Sequence, residues 1–227
     1  IKEYNNTEIL GKPYAEPKNN FSVNFVEGAL FEVKGPIENK YKVTFSDKQT
    51  GKVLHSSEIT NNMWTKCTKE YFIDWVVEAT DLSNGEVVFK HEYNAKNKRV
   101  YVHLGSSAVG DTLAWLPYVE EFRKEHGCSM ICSTFHNDWF ESEYPDIKFI
   151  KPGTPNENLY AMYNIGWYYE GKSVNYSKIP IDFKKLPLQQ TSSSILGLTH
   201  KEVKPRISFP DEPSRFDGEY VVIAPHA

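Results

Sequence analysis

Hydrophobic and polar positions follow two different periodic patterns along the chain. From Gly28 to about Tyr93, apolar residues recur at every second position in short runs, which is typical of strands half buried in a sheet. Gly51 and the pair Asn84–Gly85 lie between such runs, where tight hairpin turns need residues that tolerate positive φ. The pattern predicts a small antiparallel β-domain over residues 28–97, with roughly five to six strands.

Beyond residues 94–98, short apolar runs alternate with helical periodicity. Leu113 and Leu116 begin an apolar stripe at helical spacing, which predicts a helix over residues 111–126. The same region contains predicted strands over residues 99–104, 128–135 and 146–153, and predicted helices over residues 136–144 and 186–198, the last ended by Gly197. This alternation predicts a Rossmann-like domain over residues 98–217, with a parallel sheet covered by helices on both faces.

The two ends of the chain differ from these regions. Residues 1–27 are rich in Asn, Pro and Lys and show little periodicity, so we predict an extended or partly ordered arm. Residues 218–227 form a strand pattern that ends as its following loop begins. The predicted fold class is therefore α+β followed by α/β, a small antiparallel β-domain before a Rossmann-like parallel sheet.

Composition and charge narrow the classes of function. The formal net charge is −4 and the lysines are scattered, which argues against nucleic-acid binding. No apolar run reaches the ~18 residues that a membrane-spanning helix needs. Cys128 and Cys132 lie on one face of a predicted strand, so we predict buried, reduced thiols and a cytoplasmic location. The histidines lack metal-ligand spacing with carboxylates, so no metal site is predicted in this chain.

The loop GSSAVGD, which follows the predicted strand 99–104, carries the main candidate chemistry. Gly105 and Gly110 allow a tight turn and the close approach of a ligand, and ligands of parallel sheets bind beyond the carboxyl ends of the strands. Asp111 is either a helix N-cap or a general base that faces a pocket, and the two roles are compatible. The loop lacks the GxGxxG fingerprint and the P-loop lysine, which disfavours a nucleotide-binding oxidoreductase.

Two further groups of residues are weaker candidates. His136 and Asp138 form a conceivable proton relay, although Asn137 or Asp138 is better explained as the cap of a short helix. The aromatic run Tyr160–Tyr169 fits packing in the core and at a domain edge, or a surface on which a sugar stacks. In the second case Trp167 is the best stacking residue.

Several segments together carry a resemblance to a known family. In order along the chain these are LGSSAVGDTLAWLPYVEEFRKEHGCSMICST, DWFESEYPDIKFIKPG, YAMYNIGWYYEG, PIDFKKLPLQQTSSSILGL and YVVIAPHA. Over roughly residues 25–227 the chain resembles the heptosyltransferases of glycosyltransferase family 9. It is most similar to the protein-modifying branch, the bacterial autotransporter O-heptosyltransferases, which also have a β-domain before the first nucleotide-fold domain.

The resemblance implies a GT-B enzyme, in which two Rossmann-like domains enclose the reaction. The implied reaction is an inverting transfer of heptose from ADP-heptose to Ser hydroxyls of an autotransporter passenger protein, with Asp111 as the general base. Residues 218–227 would begin the second, donor-binding domain. The resemblance implies that Ser106 and Ser107 lie near the acceptor or the donor phosphates. It also implies that Gly110 and Thr112 shape the loop and that His226 lies on the donor side.

The resemblance also implies that the sequence represents the N-terminal half of such an enzyme. The donor-binding residues and a cysteine-rich metal finger would follow Ala227, so we expect no cofactor in this chain and no transfer by these 227 residues alone. Homo-oligomer formation is a further expectation. The alternatives are a non-catalytic carbohydrate-binding or scaffold protein that binds through its β-domain, and a lipopolysaccharide-type heptosyltransferase.

Overall fold

The computed structural model describes residues 18–208 together with residues 218, 219 and 221. Most of the predicted arm, the greater part of the predicted strand at 218–227, and His226 lie outside the described residues. The division into domains at residues 97–98 stays a prediction.

The first half of the described chain consists of antiparallel strands. They are β1 (Asn20–Asn24), β2 (Ala29–Lys34), β3 (Lys40–Asp47), β4 (Val53–Thr60), β5 (Trp64–Cys67), β6 (Trp75–Asp81) and β7 (Val87–Glu92). A three-stranded sheet has the order β1-β2-β5, and a four-stranded sheet has the order β4-β3-β6-β7. The predicted alternation is confirmed, because the side chains of Val43, Phe45 and Val77 are fully buried while their neighbours along the strands are more exposed.

Strand β1 corrects the prediction of an extended arm over residues 1–27. Residues 20–24 pair with β2 along their whole length, from Asn20 opposite Lys34 to Asn24 opposite Leu30. Phe21 points into the aromatic interior, with its ring 5.9 Å from Phe31 and 5.4 Å from Tyr41. Burial of this ring stabilises a strand that the Asn-rich composition of the segment does not indicate.

The second half contains the parallel sheet. Its strands are β8 (Arg99–Leu104), β9 (Ser129–Ser133), β10 (Ile147–Phe149) and β11 (Ala161–Ile165), arranged in the order β10-β9-β8-β11. In sequence order this is 3-2-1-4, the first part of the Rossmann strand order. The Rossmann-like prediction is confirmed. Strand β11 is not among the strands that the sequence predicts. The aromatic-rich run that contains it indicates only core packing or a stacking surface.

Two helices and several short elements complete the described chain. They are α1 (Val109–His126), α2 (Leu188–Ile195), the hairpin β12 (Tyr169–Glu170) and β13 (Ser173–Val174), and 3-10 turns at Asn137–Trp139 and Phe183–Lys185. The helix predicted over residues 136–144 is wrong beyond its first turn. Asn137 donates its side-chain amide to the Ile150 carbonyl and accepts from the Thr134 amide, which ties this turn to its neighbours.

Helix α1 covers the face of the parallel sheet that carries Val100, Val102 and Leu104, and α2 packs against α1. On the opposite face, Tyr101 and Ile131 are buried outside the main apolar core. Within the part of the chain that the structure describes, the expected helices are therefore found on one face of the sheet.

One continuous core joins the antiparallel strands to the parallel sheet. Phe25, just after β1, adds to the edge of β11: its amide donates to the Tyr160 carbonyl at 2.7 Å, and its carbonyl accepts from the Met162 amide at 3.0 Å. The Phe25 ring packs 5.0 Å from Tyr93 and 5.2 Å from Tyr160. The antiparallel strands thus support β11 through Phe25. Strand β11 lies beside β8, and the candidate loop begins at the end of β8.

Candidate functional site

The strand order of the parallel sheet creates a switch point between β8 and β11. The chain leaves β8 towards β9 on one side, whereas β11 lies on the other side. In open parallel sheets a crevice opens at this point, beyond the carboxyl ends of the strands, and ligands bind there. The Gly105 amide donates to the Ile165 carbonyl at 2.8 Å, which joins the ends of the two strands. The candidate loop therefore lies at the favoured position for a ligand.

Asp111 lies in the first turn of α1 but does not cap it. The helix begins at Val109, Ala108 occupies the N-cap position, and no side chain caps the helix end. The prediction that α1 begins at Asp111, with Asp111 as its cap, is therefore wrong. The Ser106 hydroxyl accepts from the Ala108 amide at 3.2 Å, and this local turn starts the helix earlier. The Asp111 carboxylate keeps a favourable place near the helix N-terminus and is available to other groups.

A hydrogen bond joins Asp111 to Trp167, 56 positions away in sequence. The Trp167 indole Nε1 donates to Asp111 Oδ2 at 3.0 Å. Asp111 is half-buried, and Trp167 is 39% exposed in the connection that follows β11. The Trp167 ring packs 5.4 Å from Trp115 and 5.2 Å from Phe183. The structure thus brings two residues singled out by sequence into direct contact beyond the carboxyl ends of β8 and β11.

The predicted loop residues occupy different environments. Ser106 orders the loop through its bond to the Ala108 amide, and Ser107 is exposed. Gly110 lies inside the helix without positive φ, and a Cβ added there would meet no atom within 4 Å. The turn therefore does not require glycine at position 110, which is exposed.

Thr112 turns away from the crevice. Its side chain is buried, with 1% of the residue exposed, and its hydroxyl donates to the Ala108 carbonyl at 3.3 Å. The hydroxyl is thus used within the helix, as is common for threonine in helices. The binding roles predicted for the loop residues and for Trp167 stay predictions.

His136 connects two loops at the carboxyl edge of the sheet. Its Nε2 donates to the Ser107 carbonyl at 3.0 Å, and its ring stacks on Trp139 at 4.7 Å. Among the described residues, no hydrogen bond links His136 to Asp138. The contacts of His136 hold the loop after β9 against the loop after β8, and they give no support to a proton relay.

Sequence reasoning missed a polar network on the sheet face opposite α1. The Ser133 hydroxyl lies 2.7 Å from His103 Nδ1 and 2.6 Å from the Tyr101 hydroxyl. Burial lowers the pKa of His103 below its ordinary value. Ser133 is fully buried, so the network supports the ends of β8 and β9 and presents no accessible nucleophile. The polar residues at alternate positions 101 and 103 were the available sequence signal.

All three cysteines are free and buried. Cys132 lies on β9, whereas Cys128 precedes the strand, so the prediction that both lie on one strand is wrong by one residue. Burial raises the pKa of the Cys128 thiol to about 11 and raises that of Cys132 further. Among residues 18–208, no group of three or more His, Cys, Asp or Glu side chains is arranged to hold a metal ion. No described helix has the length and apolarity needed to cross a bilayer.

Comparisons with known proteins identify a consistent group of relatives, although no family model matches. The chain is 28% identical over 190 residues to the autotransporter heptosyltransferase BAHTCr of Citrobacter rodentium, covering 82% of this chain and 45% of the relative. It is 28% identical over 213 residues to TibC of Escherichia coli, covering 92% of this chain and 50% of the relative. It is 27% identical over 190 residues to the inactive autotransporter heptosyltransferase BimC of Burkholderia thailandensis, covering 82% and 44%.

Solved structures agree with these relatives. The crystal structure of TibC, described as an iron-containing dodecameric glycosyltransferase, superposes with a TM-score of 0.74 at 24% identity over 91% of this chain and 51% of TibC. A second TibC structure, in complex with ADP-D-β-D-heptose, gives a TM-score of 0.75 at 24% identity over 86% and 50%. The chain spans about half the length of the curated relatives it matches. The chain is similar to bacterial autotransporter heptosyltransferases over most of its length and shares the fold of about half of the TibC chain.

Proposed function

We propose that this chain is the acceptor-side part of a glycosyltransferase that transfers heptose from ADP-heptose to a hydroxyl of an autotransporter protein. The names of the relatives support the reaction class, and the TibC complex with ADP-D-β-D-heptose supports the donor. The proposed acceptor is a serine hydroxyl of the passenger region, and the proposed location is the cytoplasm.

The observation that carries the proposal is the carboxylate of Asp111 at the switch point of the sheet. Among the described residues it accepts one side-chain hydrogen bond, from Trp167 to Oδ2. An ionised carboxylate can accept about four hydrogen bonds, so Oδ1 has room for an incoming hydroxyl. Asp111 is thus suited to take a proton from an acceptor that enters the crevice.

In the proposed reaction the acceptor oxygen attacks C1 of the heptose on the side opposite the diphosphate. The new C1–O bond forms as the bond from C1 to the phosphate oxygen breaks, ADP leaves with the electron pair, and the configuration at C1 inverts. The hydroxyl proton passes to Asp111. A positioned base of this kind contributes about 10²–10⁴-fold to such a step. Ser106 and Ser107 precede Asp111 in the same loop and are proposed to contact the acceptor or the donor phosphates.

Donor binding and assembly are proposed to involve residues outside those described, among them His226. TibC is described as containing iron and as a dodecamer. We propose that the protein forms a homo-oligomer, and that any iron ligands lie outside the described residues.

The test is heptose transfer by the full-length gene product, followed as the mass increase of the acceptor protein. Asp111→Asn retains an oxygen that accepts from Trp167 but removes the base, so transfer should fall by about 10²-fold or more with the fold intact. Asp138→Asn is the matched control, because Asp138 lies at the same edge of the sheet and should leave transfer unchanged. Equal rates for Asp111→Asn and the parent would contradict the base role.

A second candidate function is supported by one relative. BimC, which is described as inactive, is about as similar to this chain as the other relatives are. In this case the protein binds its ligand at the crevice without transferring it. Binding of ADP-heptose to the full-length protein with no transfer to any autotransporter acceptor would favour this function over the enzyme.

A further inference from the structure

We propose that Trp167 is a positioning residue that fixes the Asp111 carboxylate for the transfer and thereby controls turnover. This inference rests on the proposed function, because it concerns the orientation of the proposed base. The direct observation is the 3.0 Å bond from Trp167 Nε1 to Asp111 Oδ2. Sequence analysis suggested a stacking surface at Trp167, and the contact assigns it a different role.

The bond joins the segments that follow two adjacent parallel strands. Asp111 lies in the first turn of α1, after β8, and Trp167 lies in the connection after β11. The bond therefore crosses the switch point and fixes the carboxylate relative to the strand on the far side. With Oδ2 held in this way, Oδ1 is the oxygen left for the acceptor.

The chemistry of indole suits a positioning role. The indole N–H is a donor only, so it can orient a carboxylate but cannot take up the acceptor proton in its place. Hydrogen bonds to charged groups are stronger than those between neutral groups, so one such bond can select a single carboxylate orientation. Correct orientation is worth a large factor in rate, because small displacements of a reacting group are costly.

Trp167 is itself held by buried groups. Its ring packs on Trp115, which is 0% exposed and whose Nε1 donates to the Leu188 carbonyl at 3.1 Å. Phe183 contacts the ring from a second element. Helix α2 thus fixes Trp115, Trp115 fixes Trp167, and Trp167 fixes the carboxylate. Each of these contacts involves an aromatic ring, which has few rotatable bonds.

A stacking role and a positioning role predict different kinetics. If Trp167 binds a sugar through its ring face, its loss weakens substrate binding and raises KM. If it orients Asp111, its loss lowers kcat and leaves KM nearly unchanged, because only the transition state needs the aligned base.

The decisive variant keeps the ring and deletes the donor. In the full-length gene product, 3-benzothienylalanine at position 167 replaces the indole N–H by sulfur at nearly the same size. We expect kcat to fall about 10- to 100-fold with little change in KM for ADP-heptose or the acceptor. Trp167→Phe should show a similar fall. Trp64→Phe is the control, because Trp64 is 58% exposed on β5, outside the crevice, and should retain the parent rate.

A spectroscopic measurement tests the contact itself. With 5-fluorotryptophan incorporated, the ¹⁹F resonance that disappears in Trp167→Phe belongs to Trp167. It should move in Asp111→Ala, which removes the acceptor, and move less in Asp111→Asn, which retains one. An unmoved resonance in Asp111→Ala would show that the bond does not form.

The outcomes separate this inference from the proposed function. If Asp111→Asn is inactive while the benzothienyl variant keeps the parent kcat, the positioning role is wrong and the base role stands. If the benzothienyl variant keeps the parent kcat and KM while Trp167→Phe, with its smaller ring, raises KM alone, stacking replaces positioning. If Asp111→Asn is fully active, the proposed function itself is wrong.

Discussion

Replacement of Gly197 by alanine should destabilise the fold by about 2–5 kcal/mol, from two additive causes. Gly197 follows the end of α2 with φ of +68°, a left-handed conformation that costs a residue with a Cβ about 1–2 kcal/mol. The added Cβ would also lie 2.1 Å from Cδ1 of Phe72. The Phe72 ring packs 5.2 Å from Tyr93 and 5.7 Å from Phe122, so its displacement disturbs the core, at a cost of about 1–3 kcal/mol.

Gly51 supplies the matched control for this substitution. It has the same φ of +68°, and a Cβ added there would meet no atom within 4 Å. Gly51→Ala should therefore show the backbone cost alone. The free energy of unfolding of each variant is measured by denaturant titration, with the slope m compared to confirm that the same surface unfolds. Equal losses in the two variants would refute the reasoning, since they would mean that Phe72 moves aside without cost.

Two further predictions follow from buried titratable groups. The thiols of Cys128 and Cys132 should resist a disulfide reagent at pH 8 in the native protein and react fully in denaturant, because burial raises the pKa of both and excludes the reagent; rapid native labelling would contradict their burial. His126 packs on Phe72 and Phe122, and burial lowers its pKa below the ordinary value of 6.5. As the pH falls, the unfolded state therefore takes up a proton at this histidine before the folded state does, and the free energy of unfolding should decrease below about pH 6.5. His126→Phe should reduce this pH dependence in unfolding titrations at pH 7.5 and 5.5, and an unchanged dependence would assign it to other groups.

The sequence by itself determined the elements that depend on local pattern. Strand β8, helix α1 and strand β9 were predictable because their apolar runs are continuous or periodic, and the hairpins before them because polar and apolar residues alternate. Gly197 was predictable as the end of a helix for the same local reason, since a left-handed residue favours glycine. The loop with Asp111 was placed at the carboxyl end of a strand without any knowledge of its neighbours.

Contacts between distant segments were decided only by the tertiary structure. Strand β1 is stabilised by the packing of Phe21 on Phe31 and Tyr41. The sequence of the segment itself does not indicate these two partners. Asp111 is not the cap because a serine earlier in the loop starts the helix sooner. The bond between Asp111 and Trp167 requires β11 to lie beside β8, and strand order is set by the packing of the whole sheet rather than by local periodicity. A pattern read along the chain identified both residues, but only the order of the strands brings them together.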